Sequence, residues 1–423
     1  MKQIKKLDNG ITLITHKLSN THSVMISVNF KVGSLYENND NNGITHLIEH
    51  LFFRKWDSLV QEKLYFEMMS MGAEIIGKTY HDFVSFSITV VPDFFVQAFS
   101  LIIRCLNRFT WNEDSINLEK KVVCKQIENH YPTFQNWIDD NYFKNTAYEY
   151  SIMGTTEIVK SLSVNDINKW KETYFCCNNA CVAITGNYND DDLMDCYNIM
   201  SIINNAGKSS DRIICMPQNF NNRSYDNRFN IIHDDSENTD ITVFFDVNTN
   251  YDFETVRLLS SSLGEGCGSV LSKILREAKG FTDDVYTDLM CFDGFYRLSI
   301  SFSVSKGDFF NSMQCFFDGV IKVKNSISKE EYQSSICFFT NNQMMDLDNP
   351  KTLNDRYVLC DFVLPSIISE PSALKEKYEK ITCEDLYSYS NQIFTKNNIS
   401  FLIQTDIDSD KVKSYLEELV NHL

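Results

Sequence analysis

At 423 residues with 43% hydrophobic side chains, the chain exceeds what one core usually organises and implies two domains of about 200 residues each. A formal charge of −18, from 57 acidic against 39 basic side chains, excludes a nucleic-acid partner, because phosphate binding needs a concentrated basic face that the sequence lacks. MKQIKKLDNG leads only into ITLI, no run is long enough to span a bilayer, and 13 Cys without a CxxC pair read as free thiols, so no membrane span and a cytoplasmic location are expected.

Asn9-Gly10 is a turn signal ahead of the alternating ITLIT. Val24, Ile26, Val28, Phe30 and Val32 alternate with Met25, Ser27, Asn29 and Lys31, which predicts a half-buried antiparallel strand. From Gly43 to about Phe53 no breaker intervenes, and Ile44, Leu47, Ile48, Leu51 and Phe52 stand at helical spacing. Val84, Phe86, Ile88 and Val90 form the next alternating strand, closed by Pro92-Asp93, after which a helix is expected from Phe94 to about Phe109. Another begins near Asn112 and runs until Pro132 interrupts it. Val182 and Ile184 mark a closing strand before the turn at Gly186.

The order then returns. SFSITVVPDFFVQAF at Ser85 resembles SISFSVSKGDFFNSM at Ser299, with Asp93 and Asp308 at an offset of 215 (308 − 93). Asp166 and Asn178-Asn179 match Asp385 and Asn397-Asn398 at an offset of 219 (385 − 166; 397 − 178). Three matches in order argue for a duplicated α+β unit. The Gly-, Ser- and Asn-rich stretch at 204–227 reads as a linker, leaving domains at 1–203 and 228–423.

On the Gly43–Phe53 helix, His46 and His50 at i and i+4 lie on one face about 6 Å apart and can aim two imidazole nitrogens at one ion. Glu49 adjoins that face. A metal acidifies a water, and a neighbouring carboxylate can take the proton and later hand it to a leaving amine, which is the division of labour in peptide hydrolysis. HxxEH also occurs by chance, and two histidines leave a catalytic zinc one protein ligand short.

GSLYENNDNNGITHLIEHLFF, Gly33 to Phe53, resembles the active-site segment of the pitrilysin-type, or M16, metallopeptidases, a family that includes the mitochondrial processing peptidase and many small bacterial members. MGAEIIGKTYHDFVSFSITV, EIVKSLSVNDINKWKETYFCCNNACVAITGN and GSVLSKILREAKG continue the match in order, so that it covers essentially the whole chain. The resemblance implies two tandem homologous α+β domains, each an antiparallel sheet packed with helices. It also implies a zinc ion in the first domain and cleavage of extended peptides in a clam-like chamber. A homologous subunit is the implied partner, as heterodimer or homodimer, and the leader of a bacterial ribosomally made peptide is one substrate class.

The departures from the family pattern matter as much. The third ligand of the family is a Glu ending a pattern like ExxVVxxE; here Glu119 to Ile127 reads EKKVVCKQI, placing Gln126 at the ligand position. A neutral amide oxygen is the weaker zinc donor. Glu128 should face away, Glu119 shares the face of Gln126 but stands about 10 Å along the axis, and His130 is one turn on, so that Gln126, His130 or neither completes the site. The substrate-gripping Arg and Tyr of the family, seven residues apart, become Arg276 and Asp283, with Tyr286 three residues beyond, and its Asn-Ala edge motif reads Ile76-Gly77. Two readings follow: a zinc endopeptidase with Glu49 as general base, or a catalytically weak or silent subunit that completes the chamber of a homologous partner.

Overall fold

The computed structural model describes residues 2–129, 147–205, 207, 228–292, 295–365 and 367–423. They form two compact units. One comprises Met1–Pro217 with Met345–Ser366, the other Gln218–Met344 with Ile367–Leu423. Residues 345–366 thus fold with the first unit although their sequence is flanked on both sides by the second. Most of the stretch read as a linker, 206 and 208–227, lies outside the described residues.

The first unit is built on strands β1 (Gln3–Lys6), β2 (Thr12–Lys17), β3 (Val24–Phe30), a short hairpin of β4 (Lys55–Trp56) and β5 (Leu59–Val60), β6 (Ile75–Thr79), β7 (Val84–Val90) and β8 (Ala180–Gly186). Six of them make one sheet in the order β1-β2-β8-β3-β7-β6. All pairs are antiparallel except β2 with β8, and β6 is an edge strand. Along β7 the expected alternation holds: Val84, Phe86, Ile88 and Val90 enter the core while Ser85 and Ser87 are half-buried on the other face.

Helices α1 (Ile44–Phe52), α2 (Gln61–Ser70), α3 (Phe95–Ile102), α4 (Glu113–Asn129), α5 (Thr156–Ser161), α6 (Val164–Tyr174) and α7 (Asp190–Ser201) complete this unit. The expected Phe94–Phe109 helix is shorter, tightening to a 3₁₀ turn over Ile103–Leu106, while Asn112 caps α4 by accepting the Ser115 N–H at 2.9 Å. Beneath them Phe52 meets Phe86, Trp111, Phe109 and Phe175 in a cluster of edge-on and tilted rings.

The other face of this sheet corrects one expectation. β3 is buried along its whole length and not on one side only. A strap, made of the helix Pro350–Tyr357 and a wider turn over Val358–Val363, covers β2, β8 and β3 there. Leu353, Tyr357 and Val358 pack on Ile14, Cys181 and Ala183. Asn354, fully buried, accepts from Ser27 Oγ at 2.6 Å and donates to Thr185 Oγ1 at 3.3 Å, and Tyr357 meets His16 Nδ1 at 2.7 Å. Ser27 and Thr185 on the strand face thereby find partners inside the fold.

The second unit repeats the plan with β9 (Phe229–His233), β10 (Asn238–Asn248), β11 (Tyr286–Phe292), β12 (Phe295–Ser305) and β13 (Ile399–Thr405), in the order β11-β12-β10-β13-β9. Its one parallel pair is β13 with β9, the counterpart of β2 with β8. The duplication reaches individual bonds. Ser163 with Asp166 and Thr382 with Asp385 form the same reciprocal helix cap. Asn179 donates to the carbonyls of Lys31 and Tyr174, and Asn398, at the predicted offset, to those of Asp246 and Ile393. No helix among the described residues is long and apolar enough to cross a membrane.

Candidate metal centre

The start of α1 is held by a carboxylate that is distant from the motif in function but close in space. Gly43 sits at the helix N-terminus with φ 91°, a conformation that favours glycine, and an added Cβ there would meet the Met153 carbonyl oxygen at 2.5 Å. Glu37 takes the place of a capping side chain, accepting the N–H groups of Gly43 at 2.7 Å and Thr45 at 2.9 Å and the Asn42 amide at 2.9 Å. Burial raises the pKa of Glu37, against the opposing effect of these hydrogen bonds.

One turn farther along, His46, Glu49 and His50 offer one ligand atom each within 4.8 Å of one another. The two imidazoles meet edge-on with ring centres 4.6 Å apart. Helix α4 faces them. Gln126 Oε1 stands 3.2 Å from His46 Nε2, and Glu119 Oε1 stands 3.0 Å from His50 Nδ1. Arg54 donates to the second oxygen of Glu119. Burial opposes charge on His50, but the Glu119 hydrogen bond and the charges of Glu49 and Glu119 outweigh it, so its pKa is raised. Burial likewise pushes the Glu119 carboxyl up, and donation from His50 and Arg54 more than reverses this, leaving it below its ordinary value.

These groups fit a zinc ion. The spacing of His46 Nε2 and Gln126 Oε1 matches the roughly 3.3 Å between neighbouring ligands of a tetrahedral zinc with bonds of about 2 Å. A carboxylate on His50 Nδ1 fixes the ring and leaves Nε2 for a metal, the usual arrangement of metal-bound histidines. His46 Nδ1 is buried without a hydrogen-bond partner among the described residues, and Glu49 Oε2 lies 3.5 Å from it.

Glu49 is shaped from the sheet side. Thr79 Oγ1 donates to Glu49 Oε2 at 3.4 Å, and a Cβ on Gly77 would stand 2.1 Å from Glu49 Oε1. Gly77 and Thr79 of the edge strand therefore face the carboxylate. Sequence reasoning noticed Gly77 only as a departure.

Of the residues singled out in the sequence, His46, Glu49, His50 and Gln126 come together in the first unit. Arg276 and Tyr286 belong to the second, where Arg276 is exposed and 3.3 Å from Glu277, and Tyr286 is exposed at the start of β11. His130 lies outside the described residues, and Glu128 is exposed. Glu119 stands two turns from Gln126 along α4. From there it reaches His50, one turn from His46 on α1, as a hydrogen-bond partner.

Comparison with known proteins gives two family models in tandem. The model described as Insulinase (Peptidase family M16) matches residues 12–156, and that described as Peptidase M16 inactive domain matches residues 161–336. An uncharacterized zinc protease of Rickettsia felis is 20% identical over 95% of this chain and 97% of its own length. Subunit 1 of the mitochondrial cytochrome b-c1 complex of Saccharomyces cerevisiae is 28% identical over 46% of this chain and 42% of its own. The crystal structure of a protease from Helicobacter pylori shares the fold with a TM-score of 0.81 at 17% identity, covering 96% of this chain and 99% of that one.

Proposed function

The chain belongs to the M16 peptidase family, and from that membership and the geometry above we propose that it is a zinc-dependent endopeptidase acting on an extended peptide. The observation that carries the reading is the convergence of His46, Glu49 and His50 with Gln126 on one point. His46, His50 and Gln126 would hold zinc, which when bound supplies Lewis acidity toward water and the scissile carbonyl. Glu49 takes the proton of the attacking water and passes it to the leaving amine. Glu119 and Arg54 keep the His50 ring in place.

The peptide pairs with the edge strand β6, main chain to main chain. Two features support this: β6 ends its sheet, and Gly77 and Thr79 bring its backbone against Glu49. The absent side chain at Gly77 leaves the carboxylate its room. Arg276 and Tyr286 would bind substrate, a homologous subunit would be the partner, and the leader of a ribosomally made peptide is the substrate class the resemblance favours.

One observation favours a second reading. Gln126 replaces a charged ligand by a neutral one, and the yeast relative is named as a subunit of the cytochrome b-c1 complex and not as a protease, so a silent peptide-binding subunit is the rival. A peptide library incubated with the chain, alone and with a homologous partner, and read by mass spectrometry, separates them. The enzyme reading expects zinc-dependent cleavage that falls about a thousandfold in Glu49→Gln. Cleavage that survives this change, or none in either sample, would contradict it.

A further inference from the structure

The outer face of the first unit's sheet is covered unevenly. Ser27, Asn29 and Thr185 are buried under the strap, whereas Thr89 of β7 and Ile76 and Lys78 of β6 remain exposed. Lys351, Asp355 and Val358, at i, i+4 and i+7, put one stripe of the strap along the border of this uncovered strip. Beside it runs a groove of about 530 Å³ with Met25, Met69, Ala73, Ile76, Thr89 and Lys351 in its walls. Met69 is 78% and Ile76 43% exposed, apolar surface that gains by being covered. Around the groove and the small cavity that continues it, Lys78 and Lys351 balance Glu74 and Asp355, so a charged occupant has no advantage over a neutral one.

Strand alternation decides what reaches this groove. Gly77 and Thr79 face Glu49, while Ile76, Lys78 and Tyr80 line the opposite side. A peptide strand laid on β6 has the same period of two, so its side chains alternate between the level of Glu49 and the groove. We propose that the groove is a side-chain subsite for a large apolar residue of the substrate, of leucine, methionine or phenylalanine size, at a position next to the cleaved bond whose side chain points away from Glu49. This rests on the pairing of peptide with β6 proposed above. Met69 suits the task, since an unbranched thioether adjusts to apolar groups of different shape. Lys351 of the strap lines the groove, so a segment remote in sequence shares in the choice of substrate.

The test is a cleavage-site profile of the full chain, with its homologous partner where one is needed, on peptides randomised one position at a time. Wild type is expected to prefer leucine, methionine or phenylalanine over alanine by about tenfold or more at one position flanking the cut. Met69→Glu should reduce that preference to about twofold or less and Met69→Ala to an intermediate value, with preferences at the neighbouring, Glu49-facing positions retained. An unchanged profile in Met69→Glu, or a change confined to the Glu49-facing positions, overturns the subsite while leaving the peptidase reading intact. No cleavage by any version, together with no binding of fluorescent library peptides to Glu49→Gln, overturns the peptidase reading and the subsite with it.

Discussion

Glu49 depends on an atom that is missing. A Cβ at residue 77 would press on its carboxylate and, at 2.9 Å, on the Phe53 ring; the carboxylate, as the far end of a flexible side chain, would move first. Gly77→Val, which reaches farther than the alanine of the family's Asn-Ala pattern, is therefore expected to lower kcat/KM by about tenfold to a hundredfold, as a misplacement near 1 Å does, while costing at most about 1 kcal/mol of stability. Steady-state kinetics beside thermal melting checks this; loss of both together would assign Gly77 to the fold instead. At this scale the clustering of the histidine pair with Glu49 was legible in the sequence, because residues at i, i+3 and i+4 share a helix face. Glu37 was not, since a cap supplied from the preceding loop follows no spacing rule, nor was the Glu119 hydrogen bond to His50, which depends on how two helices face each other.

Among the elements, the strap is the one whose role the sequence concealed. Residues 350–363 read as part of the second half, and only their packing reveals that they complete the first. Its effect is also why β3, with polar residues at alternate positions, is buried throughout: alternation reports polarity, and polar groups that find partners are buried as readily as apolar ones. Asn354 bridges Ser27 and Thr185. Replacing it by Ala leaves two buried hydroxyls without this partner and should cost about 3 kcal/mol in urea denaturation. A cost below about 0.5 kcal/mol would mean that the strap is held by its apolar contacts alone. The duplicated elements, by contrast, were readable, since helix caps and strand-end asparagines leave their mark at constant offset.

For the molecule as a whole, the two units repeat one architecture but carry different chemistry. The second holds a buried carboxyl of its own: Glu254, pushed up to about 7 chiefly by burial, accepts from Tyr378 at 2.5 Å. Its pKa is raised on folding from 4.5, so the associated stability is fully present below pH 4.5 and is lost as pH rises through 7, by about 3 kcal/mol in all. Denaturation at pH 5 and pH 8 should reveal that loss, and Glu254→Gln should flatten it; an unchanged slope in the variant would assign the pH dependence elsewhere. The first unit's distinction is the candidate metal centre, and zinc titration of the whole chain by calorimetry tests it most directly. One zinc per chain is expected, lost in His46→Ala and bound about tenfold or more tightly in Gln126→Glu, where a carboxylate replaces the amide. Absence of zinc binding by the wild type, or binding that His46→Ala leaves intact, would contradict the account.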